Sequence, residues 1–354
     1  MESFALKPVL CFGGDALSAL SELAGKRVLV VTDAFLVRSG LLDRVTAHLP
    51  SCTVQVFDRV EPDPSLQLVA QGVKVLNEFR PDAVAAFGGG SPMDCAKAMC
   101  WFAQPHPPLW CIPTTAGTGS EVTSFAVLTD TEKGVKYPVV DDALLPVKSI
   151  LDPGFLDGVP PAVTADTGMD VLTHAAEAAV AAKASPFTDA LAEKAFSLAY
   201  ANLPAAYAGD REAKANMLYA SCLAGIAFNA AGLGVCHSMA HSLGGKFHIP
   251  HGRLNAMLLP HVIGFNSADP RAAERYGRLA KLCGIASNPR ALASALTRLR
   301  VSLKMPAALP VPAQEVRAAL PELAAAAMRD VCLPGNPRPV TVQDLEGMMR
   351  ELAG

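Results

Sequence analysis

The chain has 354 residues, 51% of them hydrophobic and 18% charged, with a net charge of -3. That composition describes a folded protein with a large apolar core, excludes a disordered polymer, and at this length fits two domains better than one. Thirty Lys and Arg against 33 Asp and Glu, with no basic block, argue against nucleic acid or an anionic membrane as a partner.

Met1 to Gly14 carries no basic segment followed by a long apolar run, so no signal peptide is expected there. Arg27–Thr32 reads as a strand, 34–48 as a helix and Thr53–Val60 as a strand. Ser65–Phe79 reads as a helix, Ala83–Phe87 as a buried strand, and a helix beginning at Pro92 follows Ser91. Leu109–Ile112 is a further strand. Strand and helix alternating at this spacing predict an α/β domain with a parallel sheet over 1–155. From Val163 the texture turns to Ala, Leu and Glu at helical spacing, predicting an all-α second domain over 156–354.

Between Ala215 and Gly245 there is no Asp, Glu, Lys or Arg, a length that spans a bilayer. The same stretch holds Asn216, Asn229, His237, His241 and several Ser and Gly, which are costly in lipid. It is therefore expected to be a buried central helix of a soluble protein. The nine cysteines are odd in number, scattered and free of CxxC pairs, so a reducing compartment such as the cytoplasm is expected, without a disulfide framework. Cys95 and Cys236 read as small buried hydrophobes. His48, His106, His248 and His261 read as structural.

Gly88-Gly89-Gly90-Ser91 lies between a buried strand and a helix. Glycines there let a backbone approach a pyrophosphate, and the helix N-terminus offers unpaired N–H groups and positive dipole. Tight packing alone is the other explanation of such a turn. A second loop, Pro113 to Glu121 (PTTAGTGSE), follows the next strand, and two such loops at the carboxyl edge of one sheet suggest a dinucleotide. Asp33 closes the first strand. A carboxylate there either accepts from a ribose 2′-hydroxyl, which favours NAD(H) over NADP(H), or caps the following helix.

Asp170 and His174 stand four apart in a helical stretch, and His237 and His241 repeat that spacing, so each pair shares a helix face. His251 sits in a Pro-His-Gly turn. One Asp with several His makes a site for a divalent first-row metal, able to polarise a carbonyl oxygen. Any one of these histidines alone reads as a core residue or a cap.

Together these segments resemble the iron-dependent (group III) alcohol dehydrogenases. The resemblance rests on GGGSPMDCAK at 88–97, PTTAGTGSEVT at 113–123, LDP at 151–153 and TGMDVLTHAAEA at 167–178. It continues through GLGVCHSMAHSLGG at 232–245, PHG at 250–252 and NPRP at 336–339. FTDALAEKA at 187–195 and the compact length further resemble the propanol dehydrogenases of bacterial propanediol-utilisation microcompartments.

The resemblance implies Asp170, His174, His237 and His251 as metal ligands, for Fe(II) with Zn(II) as the alternative. It implies His241 as a catalytic histidine that does not ligate, an imidazole suiting a proton shuttle near neutrality. Asp33, Gly89, Gly90, Ser91, Asp94, Thr114, Thr115, Thr118, Ser120 and Lys136 would contact NAD(H). Phe125 and Phe228 would line the substrate pocket and favour a short alkyl aldehyde over a hydroxylated one. The implied activity is reduction of propanal, or ethanal, to the alcohol by a homodimer, with a microcompartment shell or its enzymes as possible partners. Two rivals stand beside it: an NAD- and metal-dependent lyase like the dehydroquinate synthases, and a scaffolding component of a microcompartment.

Overall fold

The structure is a computed structural model describing residues 4–132 and 135–353, without the side chains of Val135 and Lys136. The chain divides into two compact units, Met1–Gly158 and Val159–Gly354.

The first unit is built on a six-stranded parallel sheet. In chain order its strands are β1 (Val9–Phe12), β2 (Arg27–Val31), β3 (Thr53–Phe57), β4 (Ala83–Gly88), β5 (Leu109–Pro113) and β8 (Lys148–Leu151). In space they run β1-β8-β5-β4-β2-β3. Side chains alternate between the two faces, as strand geometry requires. Leu29, Val31, Val84 and Ala86 pack on one face with Met93, Met99 and Leu76. Val28, Val30, Ala85 and Phe87 pack on the other with Leu20, Val45 and Phe155. Each valine buried in this way contributes about 1.5–3 kcal/mol. Burial on both faces is what made β2 and β4 read as continuous apolar runs.

Three local expectations need correction. The 34–48 segment forms two short helices, α1 (Ala34–Arg38) and α2 (Leu41–Thr46), because Gly40 at φ +76° breaks the run. The strand expected over Thr53–Val60 ends at Phe57, where its partner β2 ends: Val31 is paired with Phe57. The helix after β4, α4 (Gly90–Phe102), begins two residues before Pro92. Proline is still tolerated there, since first-turn N–H groups have no intrahelical acceptor. Helix α3 (Leu66–Phe79) starts as expected, with Ser65 accepting from Leu68 N at 3.1 Å. An antiparallel hairpin of β6 (Phe125–Asp130) and β7 (Val135–Val140), which sequence periodicity did not indicate, stands outside the main sheet.

The second unit is helical, with no strand among the described residues. Its centre is α5 (Pro161–Val180), which packs on α6 (Pro186–Tyr207), α7 (Arg211–Ala231), α9 (His251–Asn266) and α10 (Pro270–Leu282). Small residues allow this crowding: a Cβ on Gly168 would lie 2.2 Å from Leu203 Cδ1 of α6. The uncharged stretch 215–245 is not one helix. It breaks at Gly232, φ +89°, into α7 and α8 (Val235–Phe247), bent by 106°. Among the described residues no single helix is long and apolar enough to cross a membrane; the bent pair passes that test on length and composition together. Residues 235–240 are all buried. Helices α11 (Pro289–Ser302), α12 (Ala313–Ala327) and α13 (Val342–Arg350) complete it.

Candidate cofactor loops and metal centre

Strand order fixes where a ligand of the first unit would sit. From β2 the chain moves one way to β3, and from β4 the other way to β5 and β8, so the order reverses between β2 and β4. The crevice at the carboxyl ends of that pair is where open α/β sheets bind ligands. Asp33 follows β2 by two residues as the N-cap of α1, and Gly88–Ser91 joins β4 to α4.

Gly88 adopts φ +151°, and a Cβ there would meet Pro92 at 2.5 Å. At Gly89 and Gly90 a Cβ would come within 3.2 Å of Thr115 and 3.0 Å of Thr118. The glycines thus let the two small-residue loops close on one another at the N-terminus of α4, so close packing is one of their tasks. Asp33 takes the capping role: its Oδ1 accepts from Leu36 N at 3.0 Å. Asp94 holds the second loop, accepting from Ser120 Oγ at 2.8 Å and Val127 N at 3.1 Å. Burial raises its pKa, against the pull of Lys97 and those donors. Lys136 is the one candidate whose side chain lies outside the described residues.

Lys97 was not singled out by sequence, where it resembles any helical lysine. It is fully buried, and its ammonium donates to Thr123 O at 2.7 Å, Thr123 Oγ1 at 3.2 Å and Phe125 O at 2.8 Å. Burial lowers its pKa, opposed by Asp94, Cys111 and Glu121. Glu121 is buried nearby, its pKa pushed up by burial to about 7.

In the second unit, Asp170 and His174 on α5, His237 on α8 and His251 at the start of α9 come together. Asp170 Oδ1 lies 3.8 Å from His237 Nε2 and 3.6 Å from His251 Nε2. His174 stacks on His237 with ring centroids 4.6 Å apart, and Asp170, His174 and His237 place donor atoms within 4.8 Å of one another. Two donors each about 2.1 Å from a tetrahedral metal would lie about 3.4 Å apart, so the spacing fits an ion. A second observation supports that fit. Asn255 Nδ2 lies 2.7 Å from Asp170 Oδ1, 3.1 Å from His251 Nε2 and 3.3 Å from His237 Nε2. One amide has two hydrogens for these three atoms, so at least one of them is left to another partner, a deficit that a cation beside them would fill.

The electrostatics agree. Burial works to raise the Asp170 pKa, and His174, His251, His237 and Asn255 more than reverse it, keeping the carboxyl below its ordinary value. Burial, aided by His174, holds His237 well below the usual histidine range, as a neutral ligand requires. The His251 side chain is 36% exposed against 1% for His237, so the centre opens on the His251 side.

A close helix crossing positions His251. A Cβ on Gly252 would lie 2.0 Å from Asp166 O, so only glycine lets the start of α9 lie against α5 one turn before Asp170. Arg253 then clamps Asp166 with two bonds, 3.1 and 2.9 Å. Phe228, buried on α7, stacks on His174 at 4.5 Å. His241 is beside the cluster, its ring 5.1 Å from His251, and its Nδ1 pairs with Asp330 Oδ2 at 2.9 Å. Burial opposes ionisation of Asp330, but His241 and Cys332 bring its pKa down to about 2. Phe125 belongs to the other unit, at the start of β6. Glu177, Asn255 and Asp330 are site neighbours that sequence spacing did not identify. All nine cysteines are free, and burial raises Cys95 to about 12, which removes it as a nucleophile.

Comparison with known proteins bears on both units. Residues 8–153 match the model of the iron-containing alcohol dehydrogenases, and residues 164–353 match the C-terminal model of the same family. The chain is 46% identical to the 1-propanol dehydrogenase PduQ of Salmonella typhimurium and 45% identical to that of Citrobacter freundii. Both alignments cover 99% of this chain and 100% of the relative. Among solved structures, the sulfoacetaldehyde reductase of Bifidobacterium kashiwanohense, in complex with NAD+, is similar with a TM-score of 0.90 at 30% identity, over 100% of this chain and 99% of that one. The chain belongs to the iron-containing alcohol dehydrogenase family, oxidoreductases whose chemistry calls for NAD(H) and a metal ion.

Proposed function

We propose that the protein reduces short-chain aldehydes, propanal foremost, to primary alcohols with NADH. The observation that carries this reading is the gathering of Asp170, His251 and His237, with histidine donor atoms 3.6 and 3.8 Å from the Asp170 carboxylate and His174 stacked beside them. In it these four residues hold the metal, Fe(II) by family habit, with Zn(II) equally suited to the donor set. When bound, the metal supplies a Lewis acid for a carbonyl oxygen and the nicotinamide supplies the hydride.

The chain's own residues do the rest. Gly89, Gly90, Ser91, Thr114, Thr115, Thr118 and Ser120 form the dinucleotide loops, and Asp94 fixes the second of them through Ser120. With its Nδ1–H given to Asp330, His241 keeps Nε2 for passing a proton toward the new alcohol. Phe228, stacked on His174, supplies an aromatic wall that would leave a substrate hydroxyl without a partner, which favours propanal over lactaldehyde. The names of the 1-propanol dehydrogenase relatives support that chain length.

A homodimer and residence in a microcompartment belong to the same reading. The first is supported by the edge strand β1, where Val9 and Phe12 are 57% and 70% exposed. Resemblance to the PduQ proteins alone supports the second.

Anaerobic NADH oxidation with propanal tests the whole. Metal-stripped protein should be inactive, and Fe(II) reloading should restore stoichiometric NADH loss, faster with propanal than with lactaldehyde. No net NADH loss with metal and NADH both bound would favour the lyase rival.

Asp33 also carries a prediction. Asp33→Gly should raise the NADPH-to-NADH rate ratio about tenfold or more, by removing a charge set against a 2′-phosphate. Because glycine is itself a tolerated cap, stability should change by only a few tenths of a kcal/mol. An unchanged ratio would leave Asp33 as a cap alone.

A further inference from the structure

We propose that Glu177 is the positioning residue of the metal centre: one carboxylate fixes the tautomer of His237 and anchors the helix that carries it. The proposal rests on the reading that Asp170, His174, His237 and His251 hold the metal.

Glu177 lies on α5, three residues after His174 and seven after Asp170, hence on the same helix face. It is 2% exposed, and both its oxygens are engaged. Oε1 accepts from Cys236 N at 2.7 Å. Oε2 pairs with His237 Nδ1 at 2.5 Å. Glu177 is not among the residues whose donor atoms gather at the centre, so it acts through His237.

The first contact answers a deficiency in α8. Its N-cap is Gly234, which has no side-chain acceptor for the first-turn N–H groups. Two residues from elsewhere supply what is missing. Asn336 Oδ1 accepts from Val235 N at 3.3 Å, and Glu177 takes the next N–H. The space is closed to any larger residue: a Cβ on Gly234 would lie 2.8 Å from Asn336 Oδ1 and 3.0 Å from Glu177 Oε1. A carboxylate at a helix N-terminus is also favoured by the dipole.

The second contact sets the ring. A carboxylate facing Nδ1 makes that nitrogen the donor and leaves the lone pair on Nε2, the atom facing Asp170 Oδ1. Glu177 therefore sets both the place of His237 and the nitrogen it presents. Asn336 shares only the first task, which separates the two roles experimentally.

The test is Zn(II) affinity by competition with a chromogenic chelator, for wild type, Glu177→Gln and Asn336→Ala, together with the melting temperature of each. Glu177→Gln should weaken Zn(II) about 10–100-fold. Asn336→Ala should melt earlier yet keep its affinity within about threefold. Equal losses in both variants would reduce Glu177 to a helix anchor and overturn the proposal, as would unchanged affinity in Glu177→Gln. If Glu177→Gln does not fold, 15N spectra of histidine-labelled, Zn(II)-loaded wild type decide: protonated Nδ1 on His237 supports the proposal and protonated Nε2 overturns it. Wild type that binds no Zn(II) or Fe(II) would instead bring down the ligand assignment itself.

Discussion

Changing His251 to alanine should stop turnover while leaving the fold in place. The ring's Nε2 is one of the three atoms around the Asn255 amide, and with the side chain 36% exposed little apolar packing is lost with it. Lewis-acid stabilisation of a developing alkoxide is worth several kcal/mol, so losing the ion should slow NADH oxidation by about a thousandfold or more. Metal content by mass spectrometry should fall in parallel, and the circular dichroism spectrum should stay as in wild type. Wild-type turnover in His251→Ala, or in wild type held in excess chelator, is the result that this reading does not survive.

A second large effect is expected in the other unit, on stability. Lys97→Met should lower the urea-unfolding free energy by about 3 kcal/mol or more. Methionine nearly matches the lysine stem in length, so the loss measures hydrogen bonding rather than volume. Three acceptors, two of them backbone carbonyls, lose a charged donor in a place that water does not reach. Asp94 and Glu121 also lose a positive charge that lowers the pKa of both. Since Lys97 grips Phe125 O, the hairpin should loosen first, which hydrogen exchange on β6 would register. A loss under 1 kcal/mol would show that Lys97 is no more than a space-filler.

The sequence was most informative where a single element carries the signal. Buried strands such as β2 and β4 read correctly because parallel sheets covered on both faces leave unbroken apolar runs. Asp170 with His174, and His237 with His241, were legible because i, i+4 spacing is a property of one helix. Strand β8 was not, since its four residues include Lys148 and Ser149. Lys148 is buried through an ion pair with Glu22 and a contact over Trp110, partners far away in sequence. Helix α8 illustrates the same limit. Its caps, Glu177 and Asn336, are 59 and 101 residues away from the N–H groups they satisfy, so no local pattern announces them. Asn255 and Asp330 gained meaning only when the fold set them against histidines on another helix.

The missing side chain at Gly252 has a consequence for which ion the protein keeps. Asp170 and His251 are attached to two backbones that touch at Asp166 O, so the gap between these donors is gauged by main chain, which yields little. His237 is held by Glu177, whereas the buried His174 Nδ1 has no hydrogen-bond partner among the described residues and its ring is placed by stacking. An ion of different radius would therefore be accommodated unevenly, by turning the His174 imidazole while Asp170, His251 and His237 stay in place. If these residues hold the metal, discrimination between ions would in part be an inheritance of how closely two helices cross.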